Sequence, residues 1–250
     1  MNSYGGNISA EALATDAFNT AEKLWWASGV TVKTHPGIGA VWFLVSLFWA
    51  KVIIDIIHVL FPGKYARYLC LSLGLLGIAL GLKGKWLPQN MDVTFVAVLF
   101  IYLGYLWREN VDFFEKWETP LFLFAAIFWV TCIHLHFYIE MATRQYPFIL
   151  LTVIEAVCGS FVVCCISKGL AANFFVRMTT QILGIHSLLI FLFHYLDWIV
   201  RKFWQTNHVW QTSFRRVIIV LAASFIFLAI RTFITEMRKK YGENDVISER

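Results

Sequence analysis

The chain has 250 residues, of which 59% are hydrophobic, 17% aromatic and only 15% charged, and its formal net charge is +5. Soluble domains average about 45–50% apolar and about 25% charged residues, so the composition excludes an ordinary soluble domain and predicts a polytopic membrane protein. The small positive excess is scattered over segment ends, which suits anionic lipid headgroups and not a nucleic-acid footprint.

In chain order, a polar segment over residues 1–35 comes first. Its opening stretch, "MNSYGGNISAEALATDAFNTAEKL", lacks the basic start and apolar core of a signal peptide, so an internal segment is expected to lead insertion. A transmembrane domain follows over 36–236, with seven apolar runs at 40–61, 66–82, 92–107, 120–139, 147–168, 182–200 and 214–235. Most approach the ~20 residues that cross a bilayer; the second and third are short. Backbone groups in lipid must be bonded within the segment, so the runs are predicted to be helices, and the alternating segments of a β-barrel are absent. "FPGKYAR" turns the chain after the first run, "KGKWLPQNMD" precedes the third, and "RENVDFFEKWETP" is a mixed-sign loop ahead of the fourth. A polar tail, 237–250, closes the chain. The expected fold is therefore all-α, a transmembrane helical bundle of about seven spans. Lys and Arg are balanced between the two sides, so charge does not orient the bundle, but seven spans would put the termini on opposite sides.

Polar groups inside these runs are the candidate functional residues, because lipid penalises them. On an ideal helix over "ILGIHSLLIFLFHYLDWIV", taking His186 as zero, Ser187 lies at about 100°, His194 at about 80° and Asp197 at about 20°. The four share one arc facing protein or water. Ser187 and His194 are about 10.5 Å apart along the axis, too far for a nucleophile and its general base. His194 and Asp197, at i and i+3, can touch, and the carboxylate would fix the imidazole tautomer. In the first run Lys51, Asp55 and His58 form a second stripe, with Lys51 and Asp55 spaced as an intrahelical ion pair. Glu155, in "LLTVIEAVCG", has no cation nearby in sequence and must find a partner on another helix or be protonated. No metal site is expected: the five cysteines sit singly in apolar runs without ligand spacing, and His134 and His136 project about 200° apart on a regular helix.

Three stretches together resemble the integral-membrane acyltransferases of the acyltransferase-3 superfamily. "GVTVKTHPGIGAVWFLVSLFWAKV" resembles the family's entry into a helix through Trp-Phe-Leu, here from Trp42. "KWLPQNMDVTFVAVLFIYLGYLWRE" resembles its Leu-Pro, Asp and late Gly, matched by Leu87, Pro88, Asp92 and Gly104. "ILGIHSLLIFLFHYLD" resembles its late Gly-x-x-Ser-Leu helix ending in His, matched by Gly184, Ser187, Leu188 and His194. The closest likeness is to the fucose 4-O-acetylase-like branch and the membrane domain of serine racemases.

The resemblance implies transfer of an acyl group, usually acetyl from cytosolic acetyl-CoA, to a hydroxyl of an extracytoplasmic cell-envelope glycan. It implies catalytic roles for His194, Asp197, Ser187 and His186, and substrate contacts from Trp42, Asp92 and Glu155. It also implies a plasma-membrane protein with its N-terminus outside and C-terminus in the cytoplasm. Lys168, Arg177, Arg238, Lys239 and Lys240 are then the cations available for the CoA phosphates. The family's bundle has about ten helices, and its first carries an Arg and a His for the acyl chemistry; the seven runs here lack that end. The expected partners are therefore membrane lipid, the glycan acceptor and a protein supplying the missing helices, with no nucleic acid. The alternatives from other classes are a non-catalytic membrane subunit and a small-solute transporter using the two polar stripes.

Overall fold

The apolar runs close their own backbone hydrogen bonds as α-helices in the computed structural model, which describes residues 10–32, 36–61, 63–193 and 209–248. In chain order the helices are α1 (Ala10–Trp26), α2 (Trp42–Leu60), α3 (Lys64–Leu82), α4 (Met91–Glu109), α5 (Val111–Lys116), α6 (Glu118–His134), α7 (Leu150–Leu170), α8 (Phe174–Ile185), α9 (Ser187–Phe193) and α10 (Val209–Ser248). Among the described residues there is no strand; isolated bridges join Ser28 to Gly37 and Glu140 to Gln145.

Five segments are long and apolar enough to cross a membrane: Gly39–Leu60, Lys64–Leu82, Pro88–Glu109, Leu150–Leu170 and Trp210–Thr235. They become six if the bent pair Phe174–Ile185 and Ser187–Phe193 is one span, while Glu118–His134 is a shorter apolar helix. The chain is thus an all-helical protein with the features of an integral membrane protein.

Several boundaries differ from the sequence expectation. The two runs expected to be short are 19-residue helices, because Lys64, Tyr65, Arg108 and Glu109 continue the helix while holding their polar ends at its termini. The fourth run stops at His134, and His136 takes a positive φ of 59°. His134 and His136 therefore straddle a helix end and are not on one regular helix. The sixth run is not one straight helix. α8 begins at Phe174, where the Asn173 side chain accepts hydrogen bonds from the backbone N–H of Phe175 and Val176. It ends at His186, two residues after Gly184, and α9 departs at 64°. The ideal-helix angle between His186 and the residues after it does not survive that break.

The chain divides into two compact units, Met1–Gly169 and Leu170–Arg250. In the first, α3 and α4 pack most extensively, with α2 against both. Ala50, Ile54 and Ile57 of α2 meet Ala66 and Cys70 of α3 and Val98 and Tyr102 of α4 in one core. Small residues let α3 and α4 approach closely, as in membrane helix pairs generally. A Cβ on Gly74 would lie 2.4 Å from Leu99 Cβ, and one on Gly77 would lie 2.6 Å from the Asp92 carbonyl oxygen. A further cluster joins Ala125 of α6 to Phe161 and Val162 of α7. In the second unit α9 packs on α10, with the rings of Phe193 and Phe227 5.7 Å apart.

Candidate functional site

The expected catalytic residues fall in the second unit. Ser187 opens α9, and His186 is the half-buried residue at the break before it. His194 and Asp197 lie outside the described residues. Ser187 lines a pocket of about 530 Å³ between α9 and α10, together with Ser213 and Arg216 and a wall of Leu, Ile, Val and Phe side chains. Two serines and an arginine therefore border one largely apolar pocket, with Ser187 and Ser213 exposed. Polar groups at the edge of an apolar pocket suit a ligand that carries a polar or anionic group on an apolar body. Sequence reasoning found Ser187 but not Ser213 or Arg216 as site residues; an arginine six residues past Trp210, within the apolar segment Trp210–Thr235, was the available signal.

The expected substrate contacts lie at one end of the first unit. Trp42 starts α2, Asp92 is in the first turn of α4, and Glu155 is in the second turn of α7. Trp42 packs its indole against the turn at Gly29, where an added Cβ would meet it at 2.6 Å. Asp92 is 1% exposed and forms an ion pair with Arg144, itself 4% exposed. Arg144 Nε donates to Asp92 Oδ2 at 2.9 Å, Nη1 to the Ala142 carbonyl at 2.9 Å, and Nη2 to Asn90 Oδ1. Asp92 Oδ1 also accepts from the Leu87 backbone N–H at 3.1 Å. Asn90 Nδ2 donates to Ser46 Oγ at 2.7 Å, which carries the network to α2. The Trp86 ring covers the guanidinium at 3.4 Å, a stacked cation–π contact.

This network is built by locally strained backbone. Arg144 (φ 58°), Gln89 (φ 56°) and Asn90 (φ 56°) are all left-handed, a region that few side chains other than Asn adopt without cost. The loop 135–149 folds on a two-bond bridge between Glu140 and Gln145, at 3.0 and 2.9 Å, which aims Arg144 inward. Tyr146, 1% exposed, follows it into the core beside Ile78, Val96 and Leu99. Its hydroxyl has no hydrogen-bond partner among the described residues. Burial, reinforced by the Asp92 charge, pushes the Tyr146 phenol well above its ordinary range.

Glu155 lies buried beside the same loop, 4% exposed, near Trp129 and Ile139. Among the described residues no ion pair reaches it. Asp92, through Arg144, holds the loop 135–149 onto the helix ends. Arg144, Asn90 and Trp86 were not found from sequence, because a loop cation and a loop tryptophan look like ordinary surface and interface residues.

Lys51 and Asp55 do form the predicted intrahelical ion pair, and it stays exposed on the first unit. His58 bonds its Nδ1 to the Ile54 carbonyl at 2.9 Å. Elsewhere in this unit, an apolar cleft of about 810 Å³ lies among α4, α5, α6 and α7, with Asn110 and Ser160 among its few polar lining groups. No group of three or more metal-ligating side chains occurs among the described residues. No protein-family model, curated protein or solved structure matches the chain.

Proposed function

We propose that the chain is a membrane-bound acyltransferase-family protein that passes acetyl from cytosolic acetyl-CoA to a hydroxyl of an extracytoplasmic envelope glycan. The observation that supports this reading is the pocket shared by Ser187, Ser213 and Arg216, because Ser187 belongs to the late Gly-x-x-Ser-Leu…His stretch on which the resemblance rests. In the proposed reaction His194 takes the proton of the acceptor hydroxyl, whose oxygen attacks the thioester carbonyl. The C–S bond then breaks, and the CoA sulfur leaves as the thiol after accepting a proton. In this proposal Asp197 holds the imidazole, while Ser187 and Arg216 stabilise charge on the carbonyl oxygen. The resemblance also carries substrate contacts to Trp42, Asp92 and Glu155, of which Asp92 positions the loop 135–149 through Arg144.

In this reading Glu118–His134 and the bent pair Phe174–Ile185 and Ser187–Phe193 each count as a span. Seven crossings put the termini on opposite sides, and the family resemblance then implies an outside N-terminus and a cytoplasmic C-terminus in the plasma membrane. Lys168, Arg177 and the cluster Arg238, Lys239 and Lys240 are available to the CoA phosphates, and a partner protein supplies the remaining helices of the family's bundle. The test is His194→Ala in cells. Loss of O-acetylation from envelope glycan at normal protein abundance is expected; unchanged acetylation would overturn the assignment.

A further inference from the structure

α2 carries charge where a bilayer is least tolerant of it. Within the segment Gly39–Leu60, Lys51 sits about 2 Å from the midpoint and Asp55 about 8 Å from it. Their side chains are nevertheless 55% and 58% exposed. His58, one turn further, is also exposed, with its ring 6.0 Å from that of Tyr105. Nearer the helix ends Arg67 approaches Glu109 at 3.9 Å. Lys51, Asp55 and His58 thus form a polar stripe on α2 that runs from mid-membrane toward one surface among exposed Leu47, Phe48 and Val59.

Pairing Lys51 with Asp55 lowers the cost of burying either in lipid but leaves a strong dipole there, so charged residues at this depth face protein or water. We propose that this face is the interface of a homodimer in the membrane, its occupant a second copy of the chain. The charge pattern selects that occupant. The α2 stripe presents one cation, Lys51, and one anion, Asp55, one helical turn apart, so the same stripe on a second copy offers each a counter-charge. A two-fold axis along the membrane normal keeps both copies at equal depth. Lys51 then needs to reach only one helical turn to meet the partner's Asp55, and interhelical polar contacts of this kind hold membrane helices together. The inference rests on α2 crossing the membrane and not on the acyl-transfer reading.

The experiment is single-molecule photobleaching of the fluorescently tagged chain in vesicles formed directly from the membrane. The wild-type chain is expected to bleach in two steps. Lys51→Asp and Asp55→Lys, expressed singly, are expected to bleach in one step, and the two co-expressed in different colours are expected to restore coincident two-colour spots. The double variant Lys51→Met/Asp55→Met, which removes charge and inserts in lipid at least as readily, is expected to be monomeric. One-step bleaching of the wild-type chain, or wild-type dimer levels in the double variant, would overturn the proposal.

Discussion

Arg144 has exchanged water for fixed partners: a carboxylate, an amide oxygen, a carbonyl and an indole face. Removing it strands a buried carboxylate, so Arg144→Met is expected to cost about 3–5 kcal/mol, read as a fall in Tm of the detergent-solubilised protein. An unchanged Tm would sink the latch. Asp92→Asn combined with Arg144→Met should cost less than Arg144→Met alone, since no unpaired charge remains. Tyr146 behaves oppositely. Its buried hydroxyl has no partner among the described residues, and an unsatisfied hydroxyl costs about 1–3 kcal/mol, so Tyr146→Phe should leave Tm unchanged or raise it. The raised phenol pKa has a definite sign. Stability is intact below the ordinary tyrosine pKa of about 10 and erodes as pH rises past it, because only the unfolded chain can ionise there. Tyr146→Phe should flatten that alkaline loss in unfolding measurements made on either side of pH ~10. Asp92 stood out in the sequence only as part of the "KWLPQNMD" stretch on which the family resemblance rests. Arg144 did not, since it lies 52 residues away in a polar loop, and only the fold buries it.

The helices illustrate the same division between local and distant causes. Where apolar runs are bounded by Pro, Gly or charge, as at "FPGKYAR" and "KGKWLPQNMD", the sequence placed the breaks. The end of α6 was hidden because "HLHFYI" stays apolar and aromatic past His134 without Gly or Pro, leaving composition silent where the chain turns. The break at His186 was hidden because an isolated Gly184 is tolerated inside membrane helices and the wheel pattern remained intact on both sides. The tightness between α3 and α4 is testable directly. Gly77→Leu would press a side chain onto the Asp92 backbone, which cannot swing aside as a side chain would. A loss of about 1–3 kcal/mol or more is expected from overpacking, seen as reduced folded yield and lower Tm; wild-type stability would mean the helices are not held at this spacing.

At the scale of the whole molecule, the span count and the chemistry are separable questions. The all-helical membrane architecture was legible from composition alone, whereas the count depends on Glu118–His134 and on the bent pair. Seven crossings predict that tags on the two termini are reached by membrane-impermeant protease from opposite faces of sealed vesicles; access from the same face would remove one span. The chemistry rests on the late helix, where Ser187 shares its pocket with Ser213 and Arg216. It is tested most directly by mass spectrometry of envelope glycans from the parent strain, a deletion strain, and the deletion carrying the wild-type or His194→Ala chain. The proposed function predicts O-acetyl esters that vanish on deletion and return with the wild-type chain but not with His194→Ala. Equal acetyl content in all four strains would contradict it.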